Sequence, residues 1–588
     1  MDQKRCAVAS KETLMRIFTV PEAPDSTLSK IELEISSNLA GFLNENIAAI
    51  EKPLHEIEKD FQSAVIPEDP TFVSAYAQDI MEQLVAHSVH TAAPSFIGHM
   101  TSALPHFVLP LSKLMVGLNQ NLVKIETSKA FTPLERQVLG MIHHLAYGQS
   151  DAFYSKWMHS AKTSLGAFCS GGTVANITAL WIARNRLLKA DGEFKGIGSQ
   201  GLISAMMHYG YKGLAVLVSE RGHYSLGKSA DLLGIGRDNF IAIKTANDNK
   251  VDIAAMRDKA HELQSQGIKV MAIVGVAGTT ETGNIDPLND MADLSQELGC
   301  HFHVDAAWGG ATLLSQTYRP LLKGIERADS ITIDAHKQMY VPMGAGLVLF
   351  KDPAATDAIE HHAEYILRKG SKDLGSHTLE GSRPGMAMLV HACLRVIGRK
   401  GYEILIDKGI EKARYFASLI SENEDFELIS EPELCLLTYR YVPKQIQQKI
   451  TNADEQTRLE IFASLNRFTA SMQKRQREAG RSFVSRTRLT PVQYDNQPTV
   501  VFRVVLANPL TSGAILKEIL EEQNYCCKIC GVHEKELYKR LSVDHNHETH
   551  KVRGLLCDAC NRGLGLFKDN PDMLKKAAKY LKKEGFYG

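Results

Sequence analysis

No stretch of this sequence is apolar for long enough to cross a membrane; nothing approaches the roughly 18 to 20 consecutive apolar residues a span needs. The opening "MDQKRCAVASKETLMRIF" starts basic but lacks the apolar segment of an export signal, so the cytoplasm is the expected compartment and no membrane partner is expected. Net charge is missing as well. The 588 residues carry 67 Lys and Arg against 67 Asp and Glu, which excludes a chain that is basic or acidic throughout. Internal repeats, low-complexity tracts and Gly, Ser or Pro-rich linkers are absent, so neither a solenoid nor a loosely tethered array is expected. Cysteine is sparse over most of the length: Cys6, Cys169, Cys300, Cys393 and Cys435 lie scattered, as in a reducing compartment where disulfides do not persist.

What is present is unevenly placed. Cys526, Cys527, Cys530, Cys557 and Cys560 crowd the end, and from Asn524 onward 13 Lys and Arg face 8 Asp and Glu, so only the tail is basic. A chain of this length exceeds the roughly 250 to 300 residues that one core supports, so several domains are expected. Residues 1–100 read as a helical arm, because "LSKIELEISSNLAGFLNENIAAIEKPLHEIEKDF" keeps apolar residues three and four apart and is interrupted near Pro53. Residues 101–375 alternate helical stretches with the short apolar runs "GLAVLVSE", "VMAIVGVAG", "CHFHVDAA", "SITIDAH" and "GAGLVLF", the pattern of an α/β domain with a mostly parallel sheet. Residues 376–523 begin with a helix over Met386–Gly398, include the strands "LCLLTYRYV" and "TVVFRVVL", and end in the helix "SGAILKEILEEQ", a smaller α+β domain. Residues 524–588 form a separate module.

Three features of the α/β region belong to one chemistry. "FCSGGTVANITALWIARNRLL" opens a helix with Gly171, Gly172 and Thr173, so free N–H groups and the positive helix end present an anion site that fits a phosphate. "HFHVDAAWGG" ends an apolar strand in Asp305, at the sheet edge where open α/β folds bind ligands. "SITIDAHKQMYVPMGAG" places Lys337, flanked by His336, just after another strand. An anion cradle, an acid and an amine are what pyridoxal phosphate needs: an amine to bond its aldehyde, a site for its phosphate, and a carboxylate to keep its ring nitrogen protonated. His223, in "SERGHYSLGKSA", offers a flat ring that can stack on the pyridine.

Together with "GTTETGNIDP", these motifs make residues from about 95 to 520 resemble the group II pyridoxal-phosphate decarboxylases, which act on glutamate, cysteine sulfinate and aromatic amino acids. The resemblance implies an aspartate-aminotransferase-type fold and a homodimer. It implies Lys337 as the cofactor-bonding amine, Asp305 on the ring nitrogen, His223 on the ring face, Gly172 and Thr173 on the phosphate, and Thr280 and Ala307 along the ring, with Gly171 and His336 also among the cofactor-binding residues. Arg383, in "LEGSRPG", resembles a substrate-carboxylate arginine, since a planar fork of donors suits a carboxylate. Within the family the likeness runs to the bacterial enzymes that convert aspartate to β-alanine for pantothenate; glutamate decarboxylation to GABA is the nearest alternative. The tyrosine that many members carry on a mobile loop is missing between Ile366 and Arg383, leaving Lys372, His377 or Lys337 itself as the expected proton donor.

The tail carries "CKIC" (Cys527, Cys530) and "CDAC" (Cys557, Cys560), two pairs spaced for a tetrahedral zinc that staples a small domain, with Cys526 an alternative to Cys527. Between them "LSVDHNHETHKVRGLLC" reads as strand, turn, strand, with Asp544 and His545 at a strand end and Asn561 beyond the second pair. A carboxylate and an amide can share one Mg²⁺ while a neutral imidazole takes a proton from water, the parts phosphodiester cleavage needs. "VDHNHETHKVRGLLCDACNRGLGLFKDNP" is similar to the recombination endonuclease VII family of HNH nucleases. That likeness implies Asp544 and Asn561 on Mg²⁺, His545 as general base with His547 assisting, and DNA contact through basic residues such as Arg553, Lys575, Lys576 and Lys579. Asn546 and His550 depart from the pattern, which has aspartate and glycine there. A contrasting reading makes the protein a Mg²⁺-dependent DNA nuclease whose large domain is a dimeric scaffold.

Overall fold

The computed structural model describes residues 27–44, 52, 54–363 and 370–523, and in the tail residues 529, 538, 542–545 and 552–583. Seven strands build the main sheet: β1 (Gly166–Cys169), β2 (Gly213–Ser219), β3 (Phe240–Ile243), β4 (Ile268–Val276), β5 (His301–Asp305), β6 (Ser330–Asp334) and β7 (Gly346–Phe350). They lie in the order β1-β7-β6-β5-β4-β2-β3; β7 runs against both neighbours while β2 to β6 pair in parallel. Residues 272–276 of β4 and 302–305 of β5 are buried along their whole length, as expected of strands covered on both faces.

Alternation along β2 shows how the layers form. Ala215 and Leu217 join Leu139, Ile142 and Met256 in the core on one face, whereas Leu214, Val216 and Val218 meet Leu180, Ala183 and Leu226 on the other. The helix Gly172–Leu187 therefore lies on the second face with its first turn at the carboxyl edge of the sheet, next to the end of β1.

A second sheet, β8 (Phe426–Ser430), β9 (Leu436–Tyr441), β10 (Ser485–Leu489) and β11 (Thr499–Val505), is antiparallel throughout, in the order β10-β11-β9-β8. Its core of Phe416, Tyr439 and Phe502 takes in Leu516, Ile519 and Leu520 from the helix Gly513–Gln523, so the chain as far as that helix is integral to the small domain. The expected helix over 386–398 does end its first segment at Gly398, whose φ of 68° only glycine adopts freely, and a second segment continues to Glu422. In the tail, β12 (Ser542–His545) pairs antiparallel with β13 (Val552–Leu556), and the helix Asp558–Leu566 follows, a strand-strand-helix order. Among the described residues no helix is long and apolar enough to cross a membrane.

Sequence reading missed β1 and β3, each four residues long and too short to display a period. It also did not single out the histidines that the fold encloses. His143, whose ring nitrogens meet Tyr154 Oη at 2.9 Å and the Phe350 carbonyl at 3.1 Å, is pushed down to about 4 by burial, and so are His301 and His303. Each folded value lies below the ordinary 6.5, so the unfolded chain binds protons first. Their contribution to stability is complete above pH 6.5 and lost as pH falls toward 4. Thermal melts across that window should show Tm falling with pH, with a shallower fall in His143→Gln; a Tm independent of pH there would contradict the burial of neutral rings.

Candidate active site

The loops leaving β1, β2, β4, β5 and β6 at their carboxyl ends meet around a cavity of about 590 Å³. Gly171, Gly172, Thr173, His223, Thr280, Asp305, Ala307, His336 and Lys337, the nine positions singled out for a cofactor, all line it. Five separate segments contribute them, so only the fold brings them together.

The anion end is built by close packing. Gly172 begins a helix of 16 residues, where N–H groups lack helical partners. A Cβ at Gly172 would stand 2.9 Å from Asp334 Oδ2, and one at Gly346, the first residue of β7, would stand 2.6 Å from the Gly171 Cα. Two backbones thus approach where no side chain fits.

The acid end is β5. Asp305 is buried, its Oδ2 accepting from Asn176 Nδ2 at 2.9 Å and its Oδ1 from the Ala307 N–H at 3.1 Å. Lys337 Nζ lies 3.1 Å from Oδ2 of Asp334, the last residue of β6, whose Oδ1 is buried with no hydrogen-bond partner. The His336 Nε2 is 3.6 Å from the same carboxylate, and its Nδ1 is likewise buried without a partner. His223 Nδ1 meets Ser225 Oγ at 2.8 Å; burial lowers its basicity, and the nearby Asp305 carboxylate offsets only part of that.

Arg383 is a correction. The structure places it outside the cavity wall, with both terminal nitrogens bonded to the Glu135 carboxylate, a pair that is almost wholly buried. Its two terminal nitrogens are taken up by Glu135, and the Nε, buried without a partner, belongs to a side chain that does not line the cavity, so this guanidinium is not placed to meet a substrate there. The cavity instead contains Arg503, from β11. Its Nε donates to the Thr280 carbonyl at 2.6 Å, Nη1 reaches Ser485 Oγ at 3.3 Å, and Nη2 is buried with no partner. Burial lowers its pKa to about 10, against the opposing influence of Glu281, so it stays charged at neutral pH. A signal was legible: one arginine inside the apolar run "TVVFRVVL" is a charge in a buried strand, which is rarely there without a partner or a task. His99 also lines the cavity unanticipated, its basicity lowered by burial and then by Arg503 and Lys337. His377 is buried, with Nε2 4.0 Å from Glu360, and is not part of the wall. Tyr365, just ahead of the segment lacking tyrosine, lies outside the described residues.

The profile of the pyridoxal-dependent decarboxylase conserved domain matches residues 53–442. The chain belongs to the pyridoxal-dependent decarboxylases. It is 65% identical over 519 residues to the aspartate 1-decarboxylase of Aliivibrio fischeri, covering 88% of this chain and 95% of that one. It is 29% identical to the acidic amino acid decarboxylase GADL1 of Xenopus tropicalis, over 62% of this chain and 68% of the relative. The crystal structure of mouse CSAD shares the fold, with a TM-score of 0.74 at 23% identity over 84% of this chain and 98% of that one. The recombination endonuclease VII profile matches residues 506–583, starting ahead of the helix Gly513–Gln523 that packs into the small domain.

The cofactor of this family, pyridoxal phosphate, fits the residues present: a side-chain-free cradle at a helix start, a buried carboxylate with both oxygens already oriented by N–H donors, and a lysine lining the same cavity. In the tail, the Cys560 N–H points to Cys557 Sγ at 3.4 Å, and Asn561 begins the next turn of that helix. Asp544 and His545 lie in β12, where the pairing shifts register between them. Cys527, Cys530, Asn546, His547 and His550 lie outside the described residues. Gly346→Ala should cost about 1 to 3 kcal/mol, because backbone must move to admit the methyl group; denaturant melts measure it, and an unchanged midpoint would mean the cradle is looser than drawn.

Proposed function

We propose that this protein removes the α-carboxylate of L-aspartate, giving β-alanine and CO₂, with pyridoxal phosphate bonded to Lys337. The observation that carries the substrate assignment is Arg503, a buried cation in the cavity wall with one nitrogen unsatisfied, which suits the carboxylate an acidic substrate retains. The 65% identical relative, named for aspartate, supports the same choice. Bound pyridoxal phosphate supplies an aldehyde that captures the substrate amine and a protonated ring that accepts the electron pair left by CO₂. Asp305 holds the positive charge on that ring, and His223 packs its flat, neutral face against it. Gly171, Gly172 and Thr173 bind the phosphate, with His336 beside them and Thr280 and Ala307 along the ring. Lys337, released when substrate binds and steadied by Asp334, is placed to hold the proton that replaces CO₂.

Tyr224 and Met343 are exposed at the cavity, and Leu109, Leu114, Val116 and Leu118 are exposed along the helix Val108–Leu118. Apolar surface of this extent favours a homodimer that closes the site. Scattered, unpaired thiols in the first domains favour a cytoplasmic location. The tail, from about residue 524, is a module in which Cys527, Cys530, Cys557 and Cys560 bind structural zinc, Asp544 and Asn561 bind Mg²⁺, and His545 activates water against DNA. The Cys560 N–H directed at the Cys557 sulfur, at the N-cap of the helix Asp558–Leu566, fixes where that sulfur lies and supports reading the pair as metal ligands.

With L-aspartate the purified protein should release CO₂ and β-alanine, and Arg503→Met should lower kcat/KM by about 10- to 100-fold, the loss of one charge-assisted hydrogen-bond pair. Equal activity of that variant, or faster turnover of L-glutamate than of L-aspartate, would overturn the assignment. Metal analysis should find one zinc per chain, lost in Cys557→Ser with decarboxylation retained; Mg²⁺-dependent DNA nicking should vanish in His545→Ala. Zinc retained by Cys557→Ser would contradict the four-cysteine site.

A further inference from the structure

The buried carboxylate of Asp305 does not stand alone. Behind it a continuous line of polar side chains runs through the interior of the sheet, in a region where the neighbouring residues Phe302 and Val304 are fully apolar. Asn176 Nδ2 is 2.9 Å from Asp305 Oδ2, and Asn176 Oδ1 is 2.9 Å from His303 Nε2. His303 Nδ1 is 2.8 Å from Ser330 Oγ, which lies 2.7 Å from His301 Nε2. His301, His303 and Asp305 alternate along β5 and so share one side of it.

We propose that Asn176 and His303 are positioning residues which, with Ser330 and His301, form a one-way file of hydrogen bonds that holds Asp305 in place as the acceptor for the cofactor's ring nitrogen. This rests on the assignment of Asp305 to that nitrogen. The direction follows from counting protons. A carboxylate has none to give, so the amide must turn its NH₂ to Asp305 and its oxygen to His303. The proton of His303 must then sit on Nε2, which leaves Nδ1 as an acceptor for the Ser330 hydroxyl. With its one proton spent, Ser330 accepts from His301 Nε2–H. Every donor in the file therefore faces Asp305.

Two consequences follow. The file cannot conduct protons, because an amide stands in its middle; it fixes charge and orientation only. The file in this direction also needs a neutral His303, since a second ring proton would turn Ser330 from donor to acceptor and reverse that link. Burial depresses its basicity to about 4, in keeping with that requirement. At its outer end the file stops at His301, whose Nδ1 is 3.8 Å from Asp329 Oδ2, too far for a hydrogen bond. Without the Asn176 donor, Asp305 Oδ2 would lose the partner that fixes its orientation and would be held less firmly in line with a ring nitrogen.

The test uses the full-length chain stripped of cofactor and titrated with pyridoxal phosphate, following protein fluorescence for affinity and the visible band against pH for the protonation of the bound group. Asn176→Leu and His303→Phe should each weaken binding about 10- to 100-fold, by analogy with the loss of outer-shell partners at ligating groups. The pH at which the band changes should shift as well. His303→Gln, which keeps an N–H donor, should restore most of the affinity. Tight binding and an unmoved pH transition in Asn176→Leu and His303→Phe would overturn the proposal, as would a lowered Tm of the cofactor-free variants with affinity unchanged, which indicates packing alone. If the unaltered chain binds no pyridoxal phosphate, the Asp305 assignment falls together with the file; if only the variants behave as wild type, the file alone falls.

Discussion

A lysine, two carboxylates, a guanidinium and a helix N-terminus can share one cavity only if each is anchored rigidly enough to offset the cost of its neighbours. The carboxyl edge of the main sheet supplies that anchorage. Asp305 and Asp334 are the last residues of adjacent strands, so their separation is set by the sheet, and the helix Gly172–Leu187 starts where β1 ends. Gly172 and Gly346 let two backbones and the Asp334 carboxylate close on one another, leaving the cradle free of side chains. Remove the sheet and the charges have no reason to stay together.

The small domain takes part in the same cavity. Arg503 leaves β11 and bonds the carbonyl of Thr280, a residue of the large domain, so the sheet of one domain is tied to the loop of the other at the site itself. On the role proposed for Arg503, the choice of an acidic substrate depends on how the two domains meet, whereas the residues proposed to hold the cofactor all belong to the large domain. The tail matches a different family, the recombination endonuclease VII profile, and shares none of these residues. Its match begins within the last part of the small domain, yet the helix Gly513–Gln523 packs its Leu516, Ile519 and Leu520 into that domain's core. The small domain and the endonuclease VII match are therefore joined by sequence without a spacer.

Much of the site could be read from the sequence because its motifs are local. Gly171 to Thr173, Asp305 and Lys337 each sit at a strand end or helix start, and such positions leave a signature of apolar run followed by small or charged residues. The five quoted apolar runs became β2, β4, β5, β6 and β7 for the same reason. What escaped is non-local. Arg383 resembles a carboxylate-binding arginine in its turn, but whether a guanidinium is free depends on Glu135, 248 residues away in the chain. Arg503 and His99 reach the cavity from the small domain and from the segment ahead of the α/β region, and no spacing rule connects them. The alternation of His301, His303 and Asp305 was visible in "HFHVD", yet only Asn176 and Ser330, from other elements, show that the three side chains belong to one line of hydrogen bonds.

The claim on which all of this stands is that one amine, that of Lys337, is covalently engaged by pyridoxal phosphate. Reduction of the purified protein with borohydride, followed by digestion and mass mapping, tests it most directly. The account predicts a single pyridoxyl-modified lysine in the peptide containing "DAHKQMY", at Lys337. A label on another lysine, or none on a protein that still releases CO₂ from aspartate, would contradict it.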